Sequence, residues 1–261
     1  MQSTKLKSIM AIALSSAMLF ATAACGTSDK ADAGTDSAKG SDAATITSYD
    51  VSSVEKDDTI AALLPESVTK DGKLTIGTNP SYAPAEFLDA DGKTQIGYDM
   101  DLARAMGNIF GLETEIVSSN FDTIIPAIGS KYDLGIAAFT KTPERAEEID
   151  FSDLYEKSAQ LLIVKAGNAD LYSTKESLAG QKVGAQKGTI QSQLIQSALP
   201  DSELFELEKY PALALEVQNG NIAGLVVDQA VGESLVANSN GELEVSNFEF
   251  SAEEALSLIH I

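Results

Sequence analysis

Arg145, Asp228, Thr189, Tyr82 and Phe121 are the side chains whose types and settings offer chemistry. Arg145 lies one turn into "TPERAEE". A guanidinium there can grip a carboxylate through two parallel N–H bonds, though an i,i+3 pair with Glu148 is the plainer alternative. Gly188 and Thr189 sit in "GAQKGTIQSQ", where a strand gives way to a helix. Free N–H groups at such a start attract an anion, a weak signal alone. Asp228 ends the apolar run "IAGLVVD" and suits either an ammonium or the cap of the next helix. Tyr82 and Phe121 can sandwich the aliphatic part of a small ligand, or serve as ordinary core aromatics. Together these groups supply what an α-amino acid zwitterion requires: a carboxylate clamp, an ammonium acceptor and aromatic walls.

The elements that must hold these residues alternate along the chain. "KLTIGT" and "ETEIVS" read as strands, and "EFLDADGKTQIGY" as a hairpin turning at Asp91-Gly92. "YDMDLARAMGNIFG" predicts a helix capped by Asp99 and ended by Gly111, with Leu102, Met106, Ile109 and Phe110 on one face. "FDTIIPAIGS" is a short helix and "YDLGIAA" a strand; "TPERAEEI" opens with Thr142 as cap and Pro143 in the first turn. A second unit follows the same style from "SAQLLIVKA" through "QKVGAQ", "TIQSQLIQSAL", "LFELEK", "PALALEVQNG", "AGLVVD" and "QAVGESLVAN" to "LEVSNFEF". Alternation of this kind implies parallel sheets with helical crossovers. Two such units predict an α/β chain of two lobes, with ligand space between them beyond the strand ends.

Composition narrows the function further. A formal charge of −21 argues against nucleic acid, whose phosphates need Lys and Arg. One histidine, His260, and one cysteine leave no basis for His-centred catalysis or His/Cys metal sites. Glu86 and Asp99 are the carboxylates left for an enzyme working near the cleft.

The first residues read as a secretory signal. Lys5 and Lys7 precede an apolar run over residues 9–21, too short for a permanent span. It ends in "ATAACG", which places Cys25 where a lipobox carries its acylated cysteine, with Thr22 where Leu is usual. A plain Ala-x-Ala cleavage site is the alternative. Residues 25–58 are small, polar and acidic and are expected to form a flexible tether. A short helix is expected around "IAALLPESV".

From Leu74 to Phe250 the chain resembles the bacterial extracellular solute-binding proteins, family 3, the polar amino-acid receptors of ABC importers. The resemblance rests on "IGTNPSYAPAEF", "GKTQIGYDMDLARAM", "FDTIIPAI", "YDLGIAAFTKTPERAEEIDFSDLY", "VGAQKGT" and "GLVVD". It implies a two-lobe periplasmic-binding-protein-like (Venus flytrap) fold, with lobe 1 over residues 59–156 and lobe 2 over 157–250. It further implies a monomer, without cofactor, that delivers a free amino acid to a permease and its ATPase at the outer face of the cytoplasmic membrane, held there by a lipid on Cys25. Tyr82 and Phe121 match the family's aromatic pair, Thr140 and Arg145 its carboxylate-binding loop, Thr189 its anion turn and Asp228 its ammonium acceptor. Asn79 stands where readers of cationic side chains often carry Asp. Ala137 and Ala138 stand where some members carry Ser, so contacts there run through backbone, and Ile190 replaces a small or hydroxyl residue. These departures weaken a histidine or lysine assignment and leave the side-chain specificity open. A sensory domain or a dehydratase-like enzyme on the same fold are the other readings.

Family members continue past residue 250 with a returning strand and closing helices of the first lobe. Here "SAEEALSLIHI" follows, and "LSLIHI" resembles translated transposon-end sequence. The expectation is an incomplete first lobe and an unstable product; a natural terminus is the alternative.

Overall fold

The stretch expected as one helix near residue 60 folds as two single turns, α1 (Asp58–Ala61) and α2 (Glu66–Thr69). They part at Pro65, which has no N–H to continue a helix. The structure is a computed structural model and describes residues 48–251 and 256–261. The expected leader, Cys25 and the linker up to residue 47 lie outside the described residues. Residues 48–58, read above as tether, are already tied to the fold. Tyr49 donates to Asp101 Oδ2 at 2.8 Å, Asn108 donates to the Val51 carbonyl at 2.9 Å, and Asp57 N donates to the Ile109 carbonyl. Composition could not show this, because the partners are polar groups of a helix 50 residues away.

β1 (Lys73–Thr78) is the central strand of the first lobe. β2 (Ser81–Tyr82), β3 (Glu86–Leu88) and β4 (Gln95–Ile96) form a small antiparallel sheet beside it. The turn is set by Asp91, which accepts from the N–H groups of Lys93 and Thr94. α3 (Tyr98–Phe110) then begins after Gly97, whose φ of 118° and contact with the Ala85 carbonyl leave no room for a Cβ. It ends at the left-handed Gly111, as expected. Asp99 lies inside this helix rather than capping it. The fully buried stripe is Asp99, Met100, Ala103 and Gly107, while the expected face of Leu102, Met106, Ile109 and Phe110 is only half-buried.

β5 (Glu113–Ser118) pairs parallel with β1. α4 (Phe121–Ile124) runs into a 3-10 turn, Ile125–Ala127, and β6 (Leu134–Gly135) pairs with β1 on its other side. β7 (Phe139–Thr140) leads to α5 (Pro143–Ala146), capped by Thr142 as expected. Leu74, Ile76, Ala103 and Ile136 are buried between α3 and this sheet. Burying each large aliphatic side chain here is worth about 1.5–3 kcal/mol.

The long β8 (Glu156–Lys165) carries the chain into the second lobe. There follow α6 (Lys175–Leu178), β9 (Lys182–Gln186), α7 (Ile190–Ala198), β10 (Glu203–Leu207), α8 (Tyr210–Gln218), β11 (Gly224–Asp228), α9 (Gln229–Ala237) and β12 (Leu243–Val245). β10, β9 and β11 are parallel, as the alternation predicts, while β8 runs antiparallel to β11. The sequence reading leaves the first lobe without a returning strand. The last strand, β13 (Leu256–His260), runs antiparallel to both β8 and β7. Among the described residues no helix is long and apolar enough to cross a membrane.

Candidate functional site

The ends of β7, β9 and β11 meet at a cleft between the lobes, where carboxyl-end geometry places ligand space. It is lined by Tyr82, Phe121, Thr140, Arg145, Thr189 and Asp228 among others. Tyr82 and Phe121 are both nearly buried, Tyr82 against Tyr210 with ring centroids 4.9 Å apart and Phe121 against Phe139 at 4.7 Å. Each is therefore a core aromatic on one side and a cavity wall on the other.

Arg145 is held by α5 at the cleft edge. Its guanidinium lies 5.4 Å over the Phe121 ring, donating Nη1 to the Thr140 carbonyl at 2.6 Å and Nη2 to the Gly188 carbonyl at 3.0 Å. The pair with Glu148 that periodicity allows is not formed among the described ion pairs. Burial pulls the guanidinium down to about 10, so it stays charged at neutral pH. Two of its five donors are occupied, which leaves N–H groups for a ligand carboxylate. Thr189, facing it across the cleft, caps α7 by accepting from Ser192 N at 3.3 Å and donates to the Gln186 carbonyl at 2.6 Å.

Asp228 at the end of β11 does not cap α9. Its Oδ1 accepts from Gln160 at 2.6 Å, and its Oδ2 accepts from the Tyr82 hydroxyl and from Gln191 at 3.2 Å. Burial raises its carboxyl, and the bonds from Tyr82 and Gln160 oppose that rise. The acceptor is thus preorganised but shared, and an ammonium has to join or replace one of these neutral donors.

Two further carboxyls stand at the back of the cavity. Glu86 lines it at 1% exposure, and its Oε2 has no hydrogen-bond partner among the described residues. Asp99 lies behind, accepting from Ala138 N at 3.0 Å and from the Tyr155 hydroxyl at 2.8 Å. Ala138, so bonded, is in a left-handed conformation, φ 48°, that a non-glycine residue rarely adopts. Ala138 therefore meets the cavity through backbone whose N–H is already bound to Asp99. Burial pushes Glu86 well above the usual carboxylate range and Asp99 up to about 6.

Of the residues expected at the site, Tyr82, Phe121, Ala138, Thr140, Arg145, Thr189 and Asp228 line one cavity. Asn79 does not. It is buried one layer back, donating to the Ser119 carbonyl at 2.7 Å and accepting from Gln186 at 2.9 Å and from Ser81 at 2.5 Å. Its role is to position Gln186 across the cleft, because a neutral amide at that depth needs all its bonds satisfied. Sequence reasoning missed Gln186, Gln191 and Tyr210, which line the cavity from the second lobe. The placement of Tyr210 directly after a strand, like that of Tyr82, is the signal that could have found it.

The model of the bacterial extracellular solute-binding proteins, family 3, matches residues 74–243. The chain belongs to that family. It is 30% identical over 160 residues to ABC transporter arginine-binding protein 1 of Escherichia coli K12, covering 61% of this chain and 64% of that protein. It is 31% identical over 175 residues to the arginine-binding extracellular protein ArtP of Bacillus subtilis 168, covering 66% and 67%. This family-3 chain thus spans about two thirds of the length of the curated relatives it matches. Its structure resembles the amino acid ABC transporter substrate-binding protein AbpA of Streptococcus pneumoniae bound to L-arginine, with a TM-score of 0.70 at 31% identity over 76% of this chain and 84% of that one. It also resembles an ancestral amino-acid-binding protein described as a precursor of cyclohexadienyl dehydratase, with a TM-score of 0.65 at 31% identity over 75% and 83%. The fold is the two-lobe architecture of these amino-acid-binding proteins.

Proposed function

We propose that this family-3 protein captures a free cationic amino acid, arginine foremost, between its lobes and presents it to an ABC importer. The observation that carries this reading is Glu86, a buried carboxyl that faces the cavity with an unpartnered oxygen. The ionisable lining consists of Arg145 against the carboxyls of Glu86 and Asp228. A zwitterion pairs its carboxylate with Arg145 and its ammonium with Asp228, and Glu86 is left over. A second positive charge at the far end of the ligand gives that carboxyl a partner as it ionises. Thr140 and the start of α7 flank the carboxylate, while Tyr82, Phe121 and Tyr210 cover the aliphatic stem. The arginine-binding relatives favour the same ligand.

The reading is of a binder rather than an enzyme. A prephenate-like acid brings two carboxylates to a cavity with one guanidinium and two carboxyls, which is the wrong balance. In this proposal a lipid on Cys25 and the linker tether a monomer at the outer face of the cytoplasmic membrane. The permease meets the closed form, in which both lobes present one surface. A melting screen across the proteinogenic amino acids tests the ligand, since a ligand of the native state raises apparent stability. Arginine should give the largest shift; a larger shift with glutamate or a neutral residue would sink the assignment.

A further inference from the structure

We propose that the empty pocket carries one exchangeable proton on the Glu86–Asp99 carboxyl pair, and that the cationic end of the ligand binds by displacing it. This rests on the cationic-ligand reading above.

The geometry assigns the two carboxyls different states. Asp99 receives two donors, Ala138 N and the Tyr155 hydroxyl, both suited to a charged carboxylate. Glu86 receives none at Oε2, is 1% exposed and lies within hydrogen-bonding reach of Asp99. Two carboxyls that close and that dry share a proton rather than both ionise, so Glu86 is the neutral acid and donates to Asp99.

Among the described residues, the groups packed around the pair supply no cation. α3 contributes Asp99 and Tyr98, and the start of β8 contributes Tyr155 and Glu156, the latter bonded to Tyr98. β11 contributes Asp228 and β2 contributes Tyr82, whose hydroxyl is bonded to Asp228. Arg145, the cation of the lining, is bonded to the Thr140 and Gly188 carbonyls. Burial and the neighbouring charge of Asp99 both raise Glu86, and Asp228 and Glu156 add to the rise. A neutral Glu86 leaves the empty cavity without an uncompensated charge. When a guanidinium arrives, Glu86–COOH becomes carboxylate, the proton leaves to solvent, and the guanidinium replaces it as the partner of the oxygen. A ligand with a neutral side chain leaves the proton in place. The pair thereby makes capture of cationic ligands weaker in acid and leaves that of neutral ligands unchanged.

The test is calorimetric titration of the full chain with L-arginine near neutral pH in two buffers of different ionisation enthalpy. Arginine is expected to release about one proton per molecule bound, with affinity rising roughly tenfold per pH unit while Glu86 is protonated in the empty form. Glu86→Gln is expected to abolish the release and weaken arginine roughly tenfold or more. A ligand-free readout accompanies it: carbon-13 NMR of the side-chain carboxyls should show a neutral Glu86 that ionises when arginine is added. Arginine binding without proton release, or an ionised Glu86 in the empty protein, overturns the exchange while leaving the ligand reading intact. A protein that shows a neutral Glu86 but binds no cationic amino acid overturns the ligand reading and the displacement with it.

Discussion

Arg145 Nη2 donates to the Gly188 carbonyl at 3.0 Å, joining α5 of one lobe to the turn before α7 of the other. The same guanidinium lines the cavity, so one side chain both bridges the lobes and is placed to meet the proposed ligand. Beside it Lys187 pairs with Asp122 at 2.8 Å, with the lysine half exposed to solvent that weakens the pair. The buried links between the lobes are Tyr82 with Asp228, and Gln186 with Asn79.

Arg145→Ala removes the partner of the ligand carboxylate. Truncating one member of a buried charge pair costs roughly 2–5 kcal/mol, about 30-fold to several-thousand-fold in affinity. Calorimetry on the variant should show that loss, and near-native affinity would remove Arg145 from the site.

Asp228→Asn and Tyr82→Phe should separate binding from preorganisation. Asp228→Asn takes away the ammonium acceptor and is expected to weaken every α-amino acid alike. Tyr82→Phe leaves the carboxylate and removes one of its donors. The empty protein should lose about 1.5–3 kcal/mol of stability, the worth of a bond to a charged group. Arginine should recover part of that loss, because its ammonium replaces the missing donor. Equal losses of affinity in the two variants would contradict this division.

Much of the site is legible in the sequence because its residues sit where one clear element gives way to another. Tyr82 after β1, Thr189 before α7, Arg145 behind a Thr-Pro helix start and Asp228 at the end of an apolar strand are all fixed by local pattern. What pattern cannot show is depth. Asn79 reads as a lining residue, yet it lies one layer back behind Gln186. Glu86 reads only as a candidate acid, since a strand residue flanked by Ala85 and Phe87 gives no sign that its carboxyl is buried unpaired. Asp99 reads as a helix cap, and its partners Ala138 and Tyr155 lie 39 and 56 positions away. Those contacts exist only once β7 and β8 have packed against α3.

Acid should stabilise the empty protein through Asp99. Its carboxyl stands at about 6 in the fold against an ordinary 3.8, chiefly through burial. Between those values the folded chain holds a proton that the unfolded chain has released, so stability falls as pH rises through this window. The gap corresponds to about 3 kcal/mol. Melting curves of the parent and Asp99→Asn across about pH 4 to 6 should diverge by an amount of that order; parallel curves would count against the raised carboxyl.

Cys25→Ser should free the protein from the membrane if the cysteine carries the anchor, since stable attachment takes more than one acyl chain and the substitution removes them all. Fractionation of cells expressing the variant reads this directly. A variant that stays with the membrane would end the lipoprotein proposal.

The central claim is that the cavity takes a zwitterion whose far end is positive. Citrulline has the shape of arginine with a neutral ureido group in place of the guanidinium, so titrating both ligands into the same protein isolates that charge. Arginine is expected to bind at least roughly tenfold more tightly, a difference of about 1.4 kcal/mol or more. Equal affinity for the two, or a preference for citrulline, would contradict the account.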